Sequence, residues 1–132
     1  MRVLIVEDDM TSRMVLSKIL SNQFECDTAE NGLEAVDKFK QALKDNNPYQ
    51  LILLDIMMPV MDGQSALMAI REIEARENIP EGQEIRAIMT TALTDPGNVT
   101  EAFTSGQADA YITKPFSRNK IMEALQEVKV IP

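Results

Sequence analysis

With 132 residues, 45% hydrophobic and 26% charged, the chain is sized for one domain with an ordinary core that needs no staples. Its formal net charge of −8 argues against direct nucleic-acid binding, which needs a basic face. A single cysteine, Cys26, excludes an internal disulfide or a thiolate metal cluster, and the absence of histidine removes the usual general base, the usual zinc ligand and any phosphohistidine carrier. Chemistry is left to carboxylate, hydroxyl and lysine. No run approaches the roughly 18 apolar residues of a membrane span, and no charged-then-apolar leader precedes Val3. The expectation is a cytoplasmic protein with no membrane association.

Apolar runs alternate with helical patterns along the whole chain, as repeated βα units and a parallel sheet require. The first run, Val3-Leu4-Ile5-Val6, ends in Glu7-Asp8-Asp9. A helix follows to about Asn22, with Met14, Val15, Lys18, Ile19 and Leu20 in its rhythm. Phe24 to Ala29 predicts a weaker second strand, with Phe24, Cys26 and Thr28 on its inward face and Cys26 as a small core residue. Asn31-Gly32-Leu33-Glu34 fits a capping box in which Asn31 caps and Glu34 reaches back. That second helix carries Leu33, Val36, Phe39, Lys40 and Leu43 until Asn46-Asn47-Pro48 stops it.

The third strand is the most informative stretch. Leu51-Ile52-Leu53-Leu54 has no polar alternation, so both of its faces must be covered, and it ends on the single carboxylate of Asp55. Pro59 and Asp62-Gly63 mark the next loop, and Asp62 caps a third helix to about Arg76, with Leu67, Ile70 and Ile73 on its buried stripe. The segment Asn78 to Glu84 predicts an exposed loop on the edge away from the strand-end acids. Ile85 to Thr91 predicts the fourth strand, and a fourth helix runs from Asp95-Pro96 to Gly106. Ala110 to Thr113 makes a short fifth strand, and Ser117 caps a final helix with Ile121, Leu125 and Val128 on one side. If the first and third strands lie side by side, as they do in a flavodoxin-like sheet, the expected fold is α/β: a flavodoxin-like (βα)5 doubly wound parallel sheet in strand order 2-1-3-4-5, one domain over residues 1–132.

In such sheets ligands bind at the carboxyl ends of the strands. Strands one and three both finish there in acid, and adjacent carboxylates raise one another's pKa or recruit a cation. Strand four brings Thr91-Ala92 to the same edge and strand five brings Lys114-Pro115-Phe116. Acids, a hydroxyl and an ammonium together suit a phosphoryl group: a metal neutralises some oxygens, Lys114 another, and Thr91 donates to a third. Hard oxygen ligands at a partly open site favour Mg²⁺ or Mn²⁺. Acids after strands also cap helices, which leaves Asp9 that role or one of local charge. A Lys-Pro bond can be cis, and at Pro115 this would turn Lys114 inward.

The set Glu7-Asp8-Asp9, Asp55 with Met58-Pro59 and Asp62-Gly63, Thr91-Ala92, and Lys114-Pro115-Phe116 resembles the receiver domain of two-component response regulators, of the single-domain, chemotaxis-regulator-like kind. The resemblance covers essentially the whole chain in order. It implies that Asp55 accepts a phosphoryl group from a histidine kinase or histidine phosphotransfer protein. It implies metal ligation by Asp8, Asp55 and the backbone carbonyl of Met57, with Glu7 acting through water. Thr91, Ala92 and Lys114 would contact the phosphoryl group, Thr91 and Tyr111 would form a switch pair, and Pro59, Gly63 and Pro115 would be structural. The output surface would be the fourth helix, fifth strand and final helix, acting on a protein target as a monomer or a phosphorylation-dependent dimer.

Met57 and Leu93, each two residues past a key position, are apolar and cannot orient an attacking water, so self-dephosphorylation is expected to be slow. Met57 also weighs against an aspartyl-phosphate phosphatase, which needs an acid there. Glu7-Asp8-Asp9 would repel a flavin phosphate. The intact acid, threonine and lysine set disfavours a phosphorylation-independent adaptor. With no output module read up to Pro132, the expectation is that the chain either docks to a partner protein or is one module of a longer one.

Overall fold

The computed structural model describes residues 1–92 and 108–131. Five strands, β1 (Arg2–Val6), β2 (Glu25–Ala29), β3 (Leu51–Asp55), β4 (Arg86–Thr91) and β5 (Ala110–Thr113), form one sheet in the order β2-β1-β3-β4-β5. Every pairing is parallel. Helices α1 (Met10–Leu20), α2 (Gly32–Lys44), α3 (Gly63–Arg76) and α4 (Arg118–Glu127) cover its two faces. The helix predicted from Asp95 to Gly106 lies outside the described residues, as does Leu93.

The unbroken apolar runs follow from this sandwich. Strand side chains alternate, so Leu4, Val6, Ile52, Leu54, Ala87 and Met89 enter the layer shared with α2 and α3. Val3, Ile5, Leu51, Leu53, Ile88 and Ile112 enter the layer shared with α1 and α4. β3 is central and buried along its whole length. Each fully buried Leu or Ile contributes about 1.5–3 kcal/mol.

Side-chain caps start all four described helices. The backbone N–H groups of Ser12, Glu34, Ser65 and Lys120 donate to Asp9, Asn31, Asp62 and Ser117. Glu34 does reach back, but to the N–H of Glu30 at 3.2 Å, one residue before the cap. α2 and α3 end where Asn46 and Asn78 turn left-handed at φ 55°. The next amides, Asn47 and Ile79, return to Ala42 and Glu74 carbonyls at 2.9 and 3.0 Å.

In two helices the apolar rhythm does not specify which side faces inward. In α1 the buried pair is Leu16 and Leu20, whereas Met14 and Val15 are exposed. The helix has two apolar pairs at spacing four, Met10/Met14 and Leu16/Leu20, and Met14 stands roughly 200° around the axis from Leu16. In α2 Leu33 is exposed, because the inward position is taken by Gly32. The Gly32 N–H donates to the Met61 carbonyl at 3.1 Å, and a Cβ on Gly32 would lie 2.5 Å from that oxygen.

The connection after α3 is exposed from Pro80 to Glu84 and enters the amino end of β4, opposite the edge that carries the acids. A network unforeseen in the sequence fixes it. Buried Glu74 accepts the Ile85 N–H at 2.7 Å, and Arg71 ties Glu74 to the Ile85 carbonyl and to Asp109. Among the described residues no helix is long and apolar enough to cross a membrane.

Candidate functional site at the carboxyl edge of the sheet

Register decides what meets at this edge. Val6 pairs with Leu54, which sets Glu7, the next residue, beside Asp55. Asp55 pairs with Thr90, and Thr91 with Thr113. The two acidic strand ends and the lysine after β5 therefore converge. One carboxylate oxygen each from Glu7, Asp8 and Asp55 lie within 4.8 Å of one another. Lys114 Nζ donates to Glu7 Oε1 at 3.1 Å and to Asp55 Oδ2 at 3.3 Å.

The backbone holds these groups in place. The N–H groups of Met57 and Asp9 donate to Asp55 Oδ1 and Glu7 Oε1 at 3.3 and 3.2 Å. The Lys114 N–H donates to the Thr91 carbonyl at 2.8 Å, tying its turn to β4, and the Lys114-Pro115 peptide is cis. Gly63 donates to the Ile56 carbonyl at 2.9 Å, and a Cβ there would lie 2.1 Å from the Asp55 carbonyl oxygen. Only glycine permits α3 to start against the end of β3. Pro59 is exposed in the same loop, and its carbonyl accepts the Met61 N–H at 2.8 Å.

Glu7 is fully buried and Asp55 is 4% exposed, while Asp8 opens to solvent. Burial, and then the negative charge of Asp55, push the Glu7 carboxyl up to about 7 against the pull of Lys114. Burial likewise raises Asp55, with Lys114 and the Met57 N–H opposing. Burial acts against the Lys114 ammonium, but Asp55 and Glu7 outweigh it and its pKa rises. One ammonium thus serves two buried acids, and the cluster is short of positive charge.

That deficit fits a divalent cation. Glu7 Oε2 is buried without a hydrogen-bond donor, although Lys114 Nζ lies 3.1 Å away as an ion-pair partner. Asp8 faces the open side, where water would complete the shell of hard oxygens around a bound cation.

Other predicted residues stand further from the carboxylates. The Thr91 hydroxyl is buried and donates to the carbonyl of exposed Ala92 at 3.0 Å, rather than reaching Asp55. Tyr111 is 43% exposed, with its ring on the outer side of β5. The Met57 side chain is 62% exposed. Sequence reasoning missed Arg13, whose guanidinium donates to the Glu7 carbonyl at 2.8 Å and pairs with Glu30 at 3.5 Å. Its spacing, one helical turn after an acidic strand end, was the available signal. Asp9 proves to be the α1 cap.

Fold and site together define a doubly wound α/β protein with an acid–lysine cluster at the carboxyl edge. The family model of the response regulator receiver domain matches residues 3–126. The chemotaxis protein CheY of Halobacterium salinarum is 38% identical over 128 residues, 96% of this chain and 95% of its own length. The Bacillus subtilis chemotaxis protein CheY has the same identity and coverage. Among solved structures, the Borrelia burgdorferi complex of CheX, CheY, BeF₃ and Mg²⁺ gives a TM-score of 0.80 at 32% identity, covering 98% of this chain and 90% of that one. The chain belongs to the response regulator receiver family, with chemotaxis-type CheY proteins among its relatives.

Proposed function

We propose that the chain is a phosphorylation switch in which Asp55 accepts a phosphoryl group from a phosphohistidine donor. The observation that carries this is Lys114 Nζ bridging Glu7 and Asp55 at 3.1 and 3.3 Å, beside an open carboxylate, Asp8. Asp8, Asp55 and the Met57 carbonyl would hold a Mg²⁺ ion, with Glu7 acting through water. When bound, that ion supplies positive charge for the carboxylates and the transferring oxygens.

The chain's own residues do the rest. An Asp55 oxygen attacks phosphorus in line as the bond from phosphorus to the donor imidazole nitrogen breaks, and the imidazole leaves with its electron pair. Lys114 stays near the incoming oxygens and offsets charge where it develops. Phosphorylation replaces the single carboxylate charge with about −1.5 to −2 on the phosphoryl group, a net gain of up to about one negative charge at a rigid strand end. Thr91 then exchanges its bond to the Ala92 carbonyl for one to a phosphoryl oxygen, beside Ala92, and Tyr111 turns in from solvent. Only such differential contacts shift the two-state equilibrium. The face around β5 and α4 passes the change to a protein target. A co-crystal of the yeast histidine phosphotransfer protein Ypd1 with the receiver domain of Ssk1, 25% identical to this chain, supports the class of donor.

The exposed thioether of Met57 offers no group to orient water, so we propose that the phosphoryl group is lost slowly. Met57→Asn should hasten the loss, and a wild-type lifetime of seconds would refute the idea. The primary test is intact-mass analysis with acetyl phosphate and Mg²⁺. The wild type should gain one phosphoryl group and Asp55→Asn none; equal labelling of both would defeat the assignment.

A further inference from the structure

We propose that Lys120 is a positioning residue for Lys114, an inference that rests on the phosphoryl-transfer reading and extends it. Lys120 lies in the first turn of α4, where its backbone N–H donates to the Ser117 cap at 3.2 Å. Its side chain runs back along the turn that precedes the helix. There Nζ donates to the Pro115 carbonyl at 3.1 Å and to the Thr113 carbonyl at 3.4 Å. These two carbonyls belong to the residues on either side of Lys114.

The geometry ties the Lys114 turn at two places. The Lys114 N–H is anchored to β4 through the Thr91 carbonyl, and the flanking carbonyls are gathered by one ammonium from α4. β5 ends at Thr113, so the carbonyl there falls at the end of the ladder and needs a donor from elsewhere. A lysine suits this place because a compact ammonium carries three donors and can serve two acceptors at once. The Lys114 side chain must extend from that turn to within 3.3 Å of Asp55, so loosening the turn displaces Nζ at the reacting centre. Displacements of about 1 Å from remote substitutions are enough to slow a reaction by up to a hundredfold.

The test compares wild type, Lys120→Met and Lys120→Arg. Three quantities are followed: the rate of labelling by acetyl phosphate, the affinity for Mg²⁺, and the ¹⁵N NMR signal of the Lys114 ammonium. Lys120→Met should slow labelling about tenfold, leave Mg²⁺ affinity unchanged and shift the Lys114 signal. Lys120→Arg keeps the donors and should restore both rate and signal. Wild-type rate and an unshifted signal in Lys120→Met would overturn the proposal. So would a parallel loss of Mg²⁺ affinity, or a failure of arginine to rescue, since either marks a merely structural residue. A wild-type chain that takes up no phosphoryl group would instead defeat the phosphorylation reading, while the NMR comparison still decides whether Lys120 places Lys114.

Discussion

Glu7 and Lys114 both hold their protons more firmly than usual, Glu7 because it is buried beside Asp55 and Lys114 because it serves the two acids. The Glu7 carboxyl sits at about 7 in the folded chain against 4.5 ordinarily, so between those values the folded state holds a proton that the unfolded state has released. Its contribution to stability is therefore greatest below 4.5 and declines as pH rises to about 7. Cation-free melting curves of Glu7→Gln should lack this decline; an unchanged pH profile would contradict the assignment. Cation binding runs the other way, because Glu7 must release its proton first. Apparent Mg²⁺ affinity should rise about tenfold per pH unit as neutrality is approached from below. Lys114→Met leaves two buried acids without their ammonium. At neutral pH it should lose about 2–3 kcal/mol by chemical denaturation. The loss should shrink once the carboxylates are protonated in mild acid, and a constant loss at all pH values would show that packing is responsible.

Among the elements, the strands were the most legible, because a run of apolar residues ending in an acid needs only local sequence to be recognised. The β5 boundaries were anticipated to the residue and the end of α3 approximately, and the Asn31, Asp62 and Ser117 caps were each marked by residue type. Asn31→Ala should remove about 1 kcal/mol of stability, measured by denaturant unfolding. The inward faces of α1 and α2 were less legible: Met14 and Leu33 are as apolar as Leu16 and Val36, and only neighbours distant in the chain select between them. The tie from Arg71 to Asp109 was hidden for the same reason, whereas the Arg13–Glu7 contact was local and carried a signal in its spacing. One loop carries strain that composition does not announce. Val60 is 77% exposed with φ at 71°, a left-handed conformation that a β-branched residue resists. Val60→Asn should stabilise the chain by about 1 kcal/mol, and a loss would show that this valine makes a compensating contact.

For the whole molecule, the sheet is a device for delivering groups from distant parts of the sequence to one edge. Lys114 and Glu7 are 107 positions apart, and Lys114 and Asp55 are 59 apart, yet both pairs are in hydrogen-bond contact. Parallel pairing of β1 with β3 and of β3 with β4, together with the tie from Lys114 to Thr91, enforces this meeting. The convergence was readable in advance only on the condition that the first and third strands lie side by side, as in a flavodoxin-like sheet, while the acids were legible from the strand ends themselves. The placement of Thr91 and Tyr111 was not, because the bond from the Thr91 hydroxyl to the Ala92 carbonyl and the exposure of Tyr111 depend on how the strand ends pack. The proposed switch requires Asp55 to be the acceptor within a cation-assisted cluster. After incubation with acetyl phosphate, borohydride reduction converts an aspartyl phosphate to homoserine, and peptide mass spectrometry locates it. Homoserine at position 55, formed with Mg²⁺ and not when a chelator is present, is the predicted result; homoserine at residue 8, or none at either position, would contradict it.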